Sequence, residues 1–213
     1  MFKRRTPKSY LRMLADWVYP KGGWGRAISY VLHRLRRLPD PPHRISRGVA
    51  AGVFVCFTPF FGLHFFLAAI LAFLMQGNLV AALLATFFGN PLTFPIIAAV
   101  SLEMGNWMLG TDHSLPLPQV FDSFALASGQ LWRNFQAIFT PEVAHWDQLA
   151  RFYVQVFWPY LVGGLIPGVV SGVIAYMLTR PAVAAYQRGR IKRLKLRYQK
   201  RIAAGAATKP TKS

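Results

Sequence analysis

Apolar residues dominate three stretches of this chain, and helix breakers cut the first two of them near their middles. Residues 44–75 are interrupted by Thr58-Pro59, Gly62 and His64. Each half holds about 13 residues, or roughly 20 Å of helix, well short of the roughly 30 Å hydrocarbon core of a bilayer. Two half-length helices around such a break form either a re-entrant hairpin or one kinked span, since proline is tolerated in membrane helices. Residues 78–110 are interrupted from Gly89 to Pro95. Asn90 suits an N-cap there, Pro91 suits the first turn that follows, and the later piece is long enough to span.

The third stretch, residues 152–179, is uninterrupted enough to span with tilt. Gly164, Gly168 and Gly172 recur every four residues and share one face, the spacing that lets a second backbone approach closely. Gly48 and Gly52 repeat the device in the first stretch. Residues 9–19 and 24–38 read as short amphipathic helices, the second with a stripe of Ile28, Val31, Leu32 and Leu35. Such helices lie on a membrane surface or pack on the chain's own core; the stripe serves both. Between the second and third stretches, residues 121–139 predict an interfacial helix carrying Phe124, Leu131, Phe135 and Ile138. Arg180-Pro181 is expected to end the third span, followed by a basic amphipathic helix over residues 182–202 and a disordered tail.

Charge sharpens this picture. Of 25 Lys and Arg residues, twelve fall in residues 1–47, eleven in residues 180–213, and only Arg133 and Arg151 lie between. Four of the seven acidic residues lie in residues 111–150. This is the asymmetry of a multi-pass membrane protein with both termini cytoplasmic and residues 111–150 on the outer face. Two ends on one side require an even number of crossings. The preferred arrangement has residues 48–75 dip in and return, 78–110 cross outward and 152–178 cross back. The alternative crosses with the first region and turns back at Asn90-Pro91.

The net charge of +18 would suggest nucleic acid in a soluble protein, but its confinement to the flanks of apolar runs favours anionic lipid head groups. Cys56 is the only cysteine, so neither a disulfide within the chain nor a thiolate metal site can be built. No metal-ligand spacing, nucleophile elbow, phosphate loop or dinucleotide glycine pattern occurs, and no cofactor or catalytic residue is expected.

Candidate chemistry therefore rests on the two breaks. Interrupted helices in lipid leave backbone groups that must be buried in protein or line a wet cavity, and paired interruptions point to a ligand site in transporters. Pro59, Gly62, Pro91 and Pro95 would set the backbone. His64, Asn90 and Thr93 would line the site, joined by Glu103, the sole acidic residue between Arg47 and Gly110. The plainer alternatives are two structural turns, a histidine bonded to a freed carbonyl, and a glutamate reaching the outer interface.

The run Gly48-Val-Ala-Ala-Gly52-Val-Phe54, then Pro59-x-x-Gly62-x-His64, Asn78, Asn90-Pro91-Leu92-Thr93-Phe94-Pro95, Gly105 and Gly110 resembles the bacterial membrane family called domain of unknown function 2062. The likeness covers roughly residues 34–180, and the Asn-Pro-x-Thr-x-x-Pro element is its specific part. Relatives often carry Gln at the position of His64, which favours hydrogen bonding over titration there, and a basic residue near Gln76. The resemblance implies a small inner-membrane protein of Gram-negative bacteria, sometimes joined to glycosyltransferase-type domains. It supplies no activity.

The expected fold is all-α: a small helical membrane bundle with broken or re-entrant half-helices and basic amphipathic flanking helices. Residues 1–43 form a cytoplasmic basic segment, 44–180 the membrane domain, and 181–213 a cytoplasmic basic helix and tail. The expected function is to bind or translocate an anionic lipid or lipid-linked phosphate. The competing expectation is a non-catalytic scaffold that docks a membrane enzyme or a second copy of itself.

Overall fold

The structure, a computed structural model, describes residues 23–111, 116–141 and 143–207. No strand occurs among the described residues. The helices are α1 (Gly23–Arg36), α2 (Pro42–Val55), α3 (His64–Leu74), α4 (Leu79–Ala85), α5 (Phe94–Leu109), α6 (Leu117–Ala137), α7 (Asp147–Phe152) and α8 (Trp158–Ala207). A tighter turn, Thr86–Phe88, extends α4, and a wide turn, Tyr153–Phe157, joins α7 to α8. The helix expected over residues 9–19, together with Asp112, His113, Glu142 and the chain beyond Ala207, lies outside the described residues.

The first apolar region doubles back. Pro42 opens α2, where a missing N–H leaves no helical bond unmade. Beyond Val55 the helix tightens: the N–H groups of Cys56, Phe57 and Thr58 each bond a carbonyl three residues back. Pro59 can offer no further donor, and Gly62 turns the chain with φ +84°, a conformation that a side chain disfavours. At the far end of α3 the Asn78 N–H donates to the Arg44 carbonyl at 2.8 Å, and Arg47 Nη1 donates to the Met75 carbonyl at 3.1 Å. The end of α3 thus rests on the start of α2.

The second apolar region runs on without reversing. Asn78 caps α4 by accepting the Ala81 N–H at 2.7 Å, while its amide nitrogen donates to Asp40 at 2.5 Å. From there α4 climbs beside α2 in the same direction, with Gly48 against Asn78, Gly52 against Ala82, and Gly89 against Cys56. A Cβ on Gly48 or Gly52 would overlap the carbonyl oxygen facing it, so these two glycines set how closely the helices approach. Past the second break, α5 carries the path onward.

Helix α8 runs antiparallel to α2, α4 and α5 and closes the bundle. Read along it, Gly105 of α5 faces Pro159, Ser101 faces Gly163, the Phe57 carbonyl faces Gly164, Phe54 faces Gly168 and Ala50 faces Gly172. Farther on, Val183 joins Leu35 and Ile45 in one buried cluster, and Gln187 Nε2 donates to the Asp40 carbonyl at 2.9 Å. The basic ends of the described chain therefore sit together at one end of the bundle.

Arg180-Pro181 does not end the helix. Pro167 and Pro181 both lie inside α8, which is 50 residues long, or roughly 75 Å. Each proline removes one backbone bond, and side-chain packing on α2 and α1 holds the rod across the gap. The expected basic helix is the continuation of the same rod.

At the opposite end, α6 spans Leu117–Ala137, a little earlier than expected. Its inward face changes character along its length. Val120 and Phe124 pack on Tyr160, Val156 and Phe152. Beyond the buried Ala127 the buried positions are Gln130 and Asn134, whereas Leu131, Phe135 and Ile138 are exposed. The amides explain the reversal. Asn134 bonds both the N–H and the carbonyl of His145, and Gln130 accepts the Leu149 N–H while donating to Asp147. Together they clamp the approach to α7 onto α6.

Candidate functional site

The two interrupted segments lie side by side, with Gly89 against Cys56 and the Phe57 carbonyl against Gly164 of α8. Phe61, in the first break, joins them. Its ring meets Phe94 at 4.5 Å between centroids, Phe124 at 4.3 Å, His64 at 5.6 Å and Tyr160 at 6.0 Å. Phe57 stacks on Phe88 from the other side at 6.2 Å. Edge-to-face contacts of this kind fill the space between the breaks with aromatic carbon.

The polar side chains at the breaks are engaged with their own turns. His64 Nε2 lies 3.2 Å from the Thr58 carbonyl, and Thr58 Oγ1 donates to the Val55 carbonyl at 2.7 Å. Asn90 Oδ1 accepts the N–H groups of Leu92 and Thr93 at 2.9 and 3.2 Å, and its amide nitrogen donates to the Phe87 carbonyl at 3.2 Å. Thr93 Oγ1 accepts the Asn90 N–H at 3.1 Å and donates to the Phe88 carbonyl. Asn90 thereby caps the turn Pro91-Leu92-Thr93, and α5 proper begins at Phe94, three residues later than the sequence suggests. Pro95 falls in the first turn of α5, where no donor is required.

Of the four residues expected to line one site, His64, Asn90 and Thr93 therefore sit at the adjacent breaks, each meeting a backbone group that the break sets free. Glu103 does not join them. It is exposed on α5, ten residues past Thr93 and so roughly 15 Å along the axis. The glycines expected to pack do so inside the chain: Gly48 and Gly52 face α4, and Gly164, Gly168 and Gly172 face the break and α2.

Sequence reasoning missed an open apolar recess. A groove of about 420 Å³ runs between α2, α3 and α8, floored by Ala50, Ala51 and Gly172, with Phe54, Leu71 and Val173 among its walls. Arg47 and Tyr176 also line it. Small residues at a helix crossing were its one sequence signal, and they read equally well as packing. A second recess, of about 490 Å³, lies at the other end, beside the side chains of Gln130, Arg133, His145 and Asp147.

No curated protein and no solved structure matches the chain. A family model described as "Uncharacterized protein conserved in bacteria (DUF2062)" matches residues 25–192, and the chain belongs to that family.

Proposed function

We propose that this is an integral membrane protein of the bacterial inner membrane, with both basic ends on the cytoplasmic side, that holds an anionic lipid or lipid-linked phosphate. The observation that carries the proposal is a broad, exposed apolar belt beside a gathered basic end. The helix Asp147–Gln199, counted through its wide turn, is long and apolar enough to cross a membrane, and only 22% of its most apolar stretch is buried. The core helix of a soluble protein would be mostly covered. Phe73 is 73% exposed, Leu178 67% and Ile96 65%, on three different helices. An apolar surface of that breadth needs lipid or protein against it.

Within this reading α2 and α3 form a hairpin entered from the cytoplasmic side, while α4–α5 and α8 cross. The breaks lie at mid-depth, and Phe61, Asn90 and Thr93 shelter the backbone that lipid cannot solvate. Helix α6 rests Leu131, Trp132 and Phe135 on the outer interface. At the cytoplasmic end Arg34, Arg36, Arg44, Arg47 and the Lys/Arg ladder of α8 attract anionic head groups, each worth about 1 kcal/mol near the surface.

The test is topology followed by lipid retention. In a Cys56→Ala background, His145→Cys should react in intact cells with a membrane-impermeant maleimide once the outer membrane is permeabilised, and Arg190→Cys should react only after lysis. The protein should resist alkaline extraction and retain phosphatidylglycerol in preference to phosphatidylcholine. Release by alkali, or a His145→Cys thiol that stays protected until lysis, would overturn the membrane reading. Equal retention of the two lipids would overturn the anionic preference.

A further inference from the structure

We infer that the groove between α2, α3 and α8 seats one acyl chain of an anionic phospholipid whose phosphate is bound by Arg47. The inference rests on the membrane reading above and names the site within it.

The groove has a direction. Gly168 faces Phe54 and Gly172 faces Ala50, so Tyr176, one turn farther along α8, comes level with Arg47. The Phe54 end lies toward the breaks, deep in the bundle. The Arg47 end lies where α3 turns into α4, beside the basic termini. Arg180 stands one more turn along the same face of α8. An amphiphile with an apolar tail and an anionic head matches this polarity, tail toward Phe54 and head at Arg47. Its size also falls within the roughly 300–1,000 Å³ of ordinary ligand pockets.

Arg47 is held in position. One of its nitrogens, Nη1, donates to the Met75 carbonyl at 3.1 Å, which fixes the guanidinium at the groove mouth and leaves the other nitrogens to face a ligand. The planar fork of an arginine suits phosphate oxygens better than a lysine ammonium does. Among the described residues, no carboxylate lines the groove. The acid at this end, Asp40, is already engaged by Arg44 at 3.4 Å and by Asn78. The walls are otherwise apolar, so a neutral lipid would gain the tail contacts and leave the guanidinium without an anion.

The experiment uses the full chain in nanodiscs of equal phosphatidylglycerol and phosphatidylcholine. Detergent release is followed by native mass spectrometry of the lipid retained. Val173→Trp fills the groove from an exposed wall position, and Arg47→Gln removes the charge at its mouth. Each should lower retained phosphatidylglycerol roughly tenfold or more, as expected for losing a hydrogen bond to a charged group or the cavity itself. Arg47→Lys should restore only part of it. Val170→Trp, a similarly exposed position on α8 outside the groove, should leave retention unchanged. Unchanged retention in Val173→Trp, or an equal fall in Val170→Trp, would overturn the groove as the seat. Loss in Val173→Trp with none in Arg47→Gln would overturn Arg47 as the phosphate ligand. Alkaline extraction of each variant separates these outcomes from failure of the membrane reading: a wild-type chain that alkali releases sinks both, whereas an integral chain with indifferent variants sinks only the groove.

Discussion

Replacing Gly105 by alanine should weaken the protein, although alanine is the better helix former. The Cβ would point into Pro159 of α8, overlapping its carbonyl oxygen, with the Cα of the same residue 3.0 Å away. All of these are backbone atoms, so no rotamer can clear the space. Restoring ordinary contact requires α5 and α8 to part by about 1.5 Å, which forfeits much of the dispersion energy along the seam. Neighbouring positions cannot absorb the shift, because Gly163 meets Ser101 and Gly105 in the same way. Overpacking costs about 1–3 kcal/mol, and the gain in helix propensity returns up to about 1 kcal/mol. A backbone clash belongs at the upper end, so the net loss is about 2 kcal/mol. Gly129, inside α6 with nothing within 4 Å of its would-be Cβ, is the control and should gain up to about 1 kcal/mol. In thermal melts of the purified protein, Gly105→Ala should fall by about 4–8 °C and Gly129→Ala should rise by a few degrees. A Gly105→Ala protein melting at or above wild type would refute the close-contact account of the α5–α8 seam.

Asn134→Ala should strip His145 of both backbone partners, at about 1–3 kcal/mol, seen as a lower melting temperature and faster proteolysis before α7. Asn78→Ala should remove the cap of α4 for about 1 kcal/mol. Asn78→Asp should fail to rescue it, because the new carboxylate would face Asp40 where the amide now donates; equal melting of Asn78→Asp and wild type would sink this assignment. Asp147 is held below the usual carboxylate range by its own backbone N–H, then by Gln130 and Arg151. Its stabilisation is therefore fully present above about pH 4 and lost as pH falls through the lowered value. The melting-temperature gap between wild type and Asp147→Asn should close on acidification, and a gap that widens would contradict the assignment.

The parts of this fold that sequence made legible are those set by local chemistry. Pro59 and Pro91 mark the breaks because proline lacks a donor wherever it falls. The repeat of Gly164, Gly168 and Gly172 marks a face of close approach, but nothing local says that α2 fills it. The course of α8 through Pro181 was hidden for the same reason, since Val183 and Gln187 hold it through residues far back in the chain. The inward face of α6 misled because Gln130 and Asn134 are buried against a backbone that only the fold brings near. At the candidate site, the residue types at the breaks were readable, but their engagement with their own turns depends on rotamers, and the Phe61 aromatic hub is assembled from four separate segments.

The seating of α8 against α1 and α2 also sets an order of events during synthesis. Asp40 and Gln187, which bond each other, are 147 positions apart, and the carbonyl of Phe57 waits for Gly164 to cover it. At about 5–20 residues per second, the ribosome needs on the order of 10 s to make the intervening chain. For that interval the early hairpin stands half-built, its broken ends unsheltered. A nascent chain stalled before Pro159 would leave these groups open to proteolysis, and a chain carried past Gln187 would cover them.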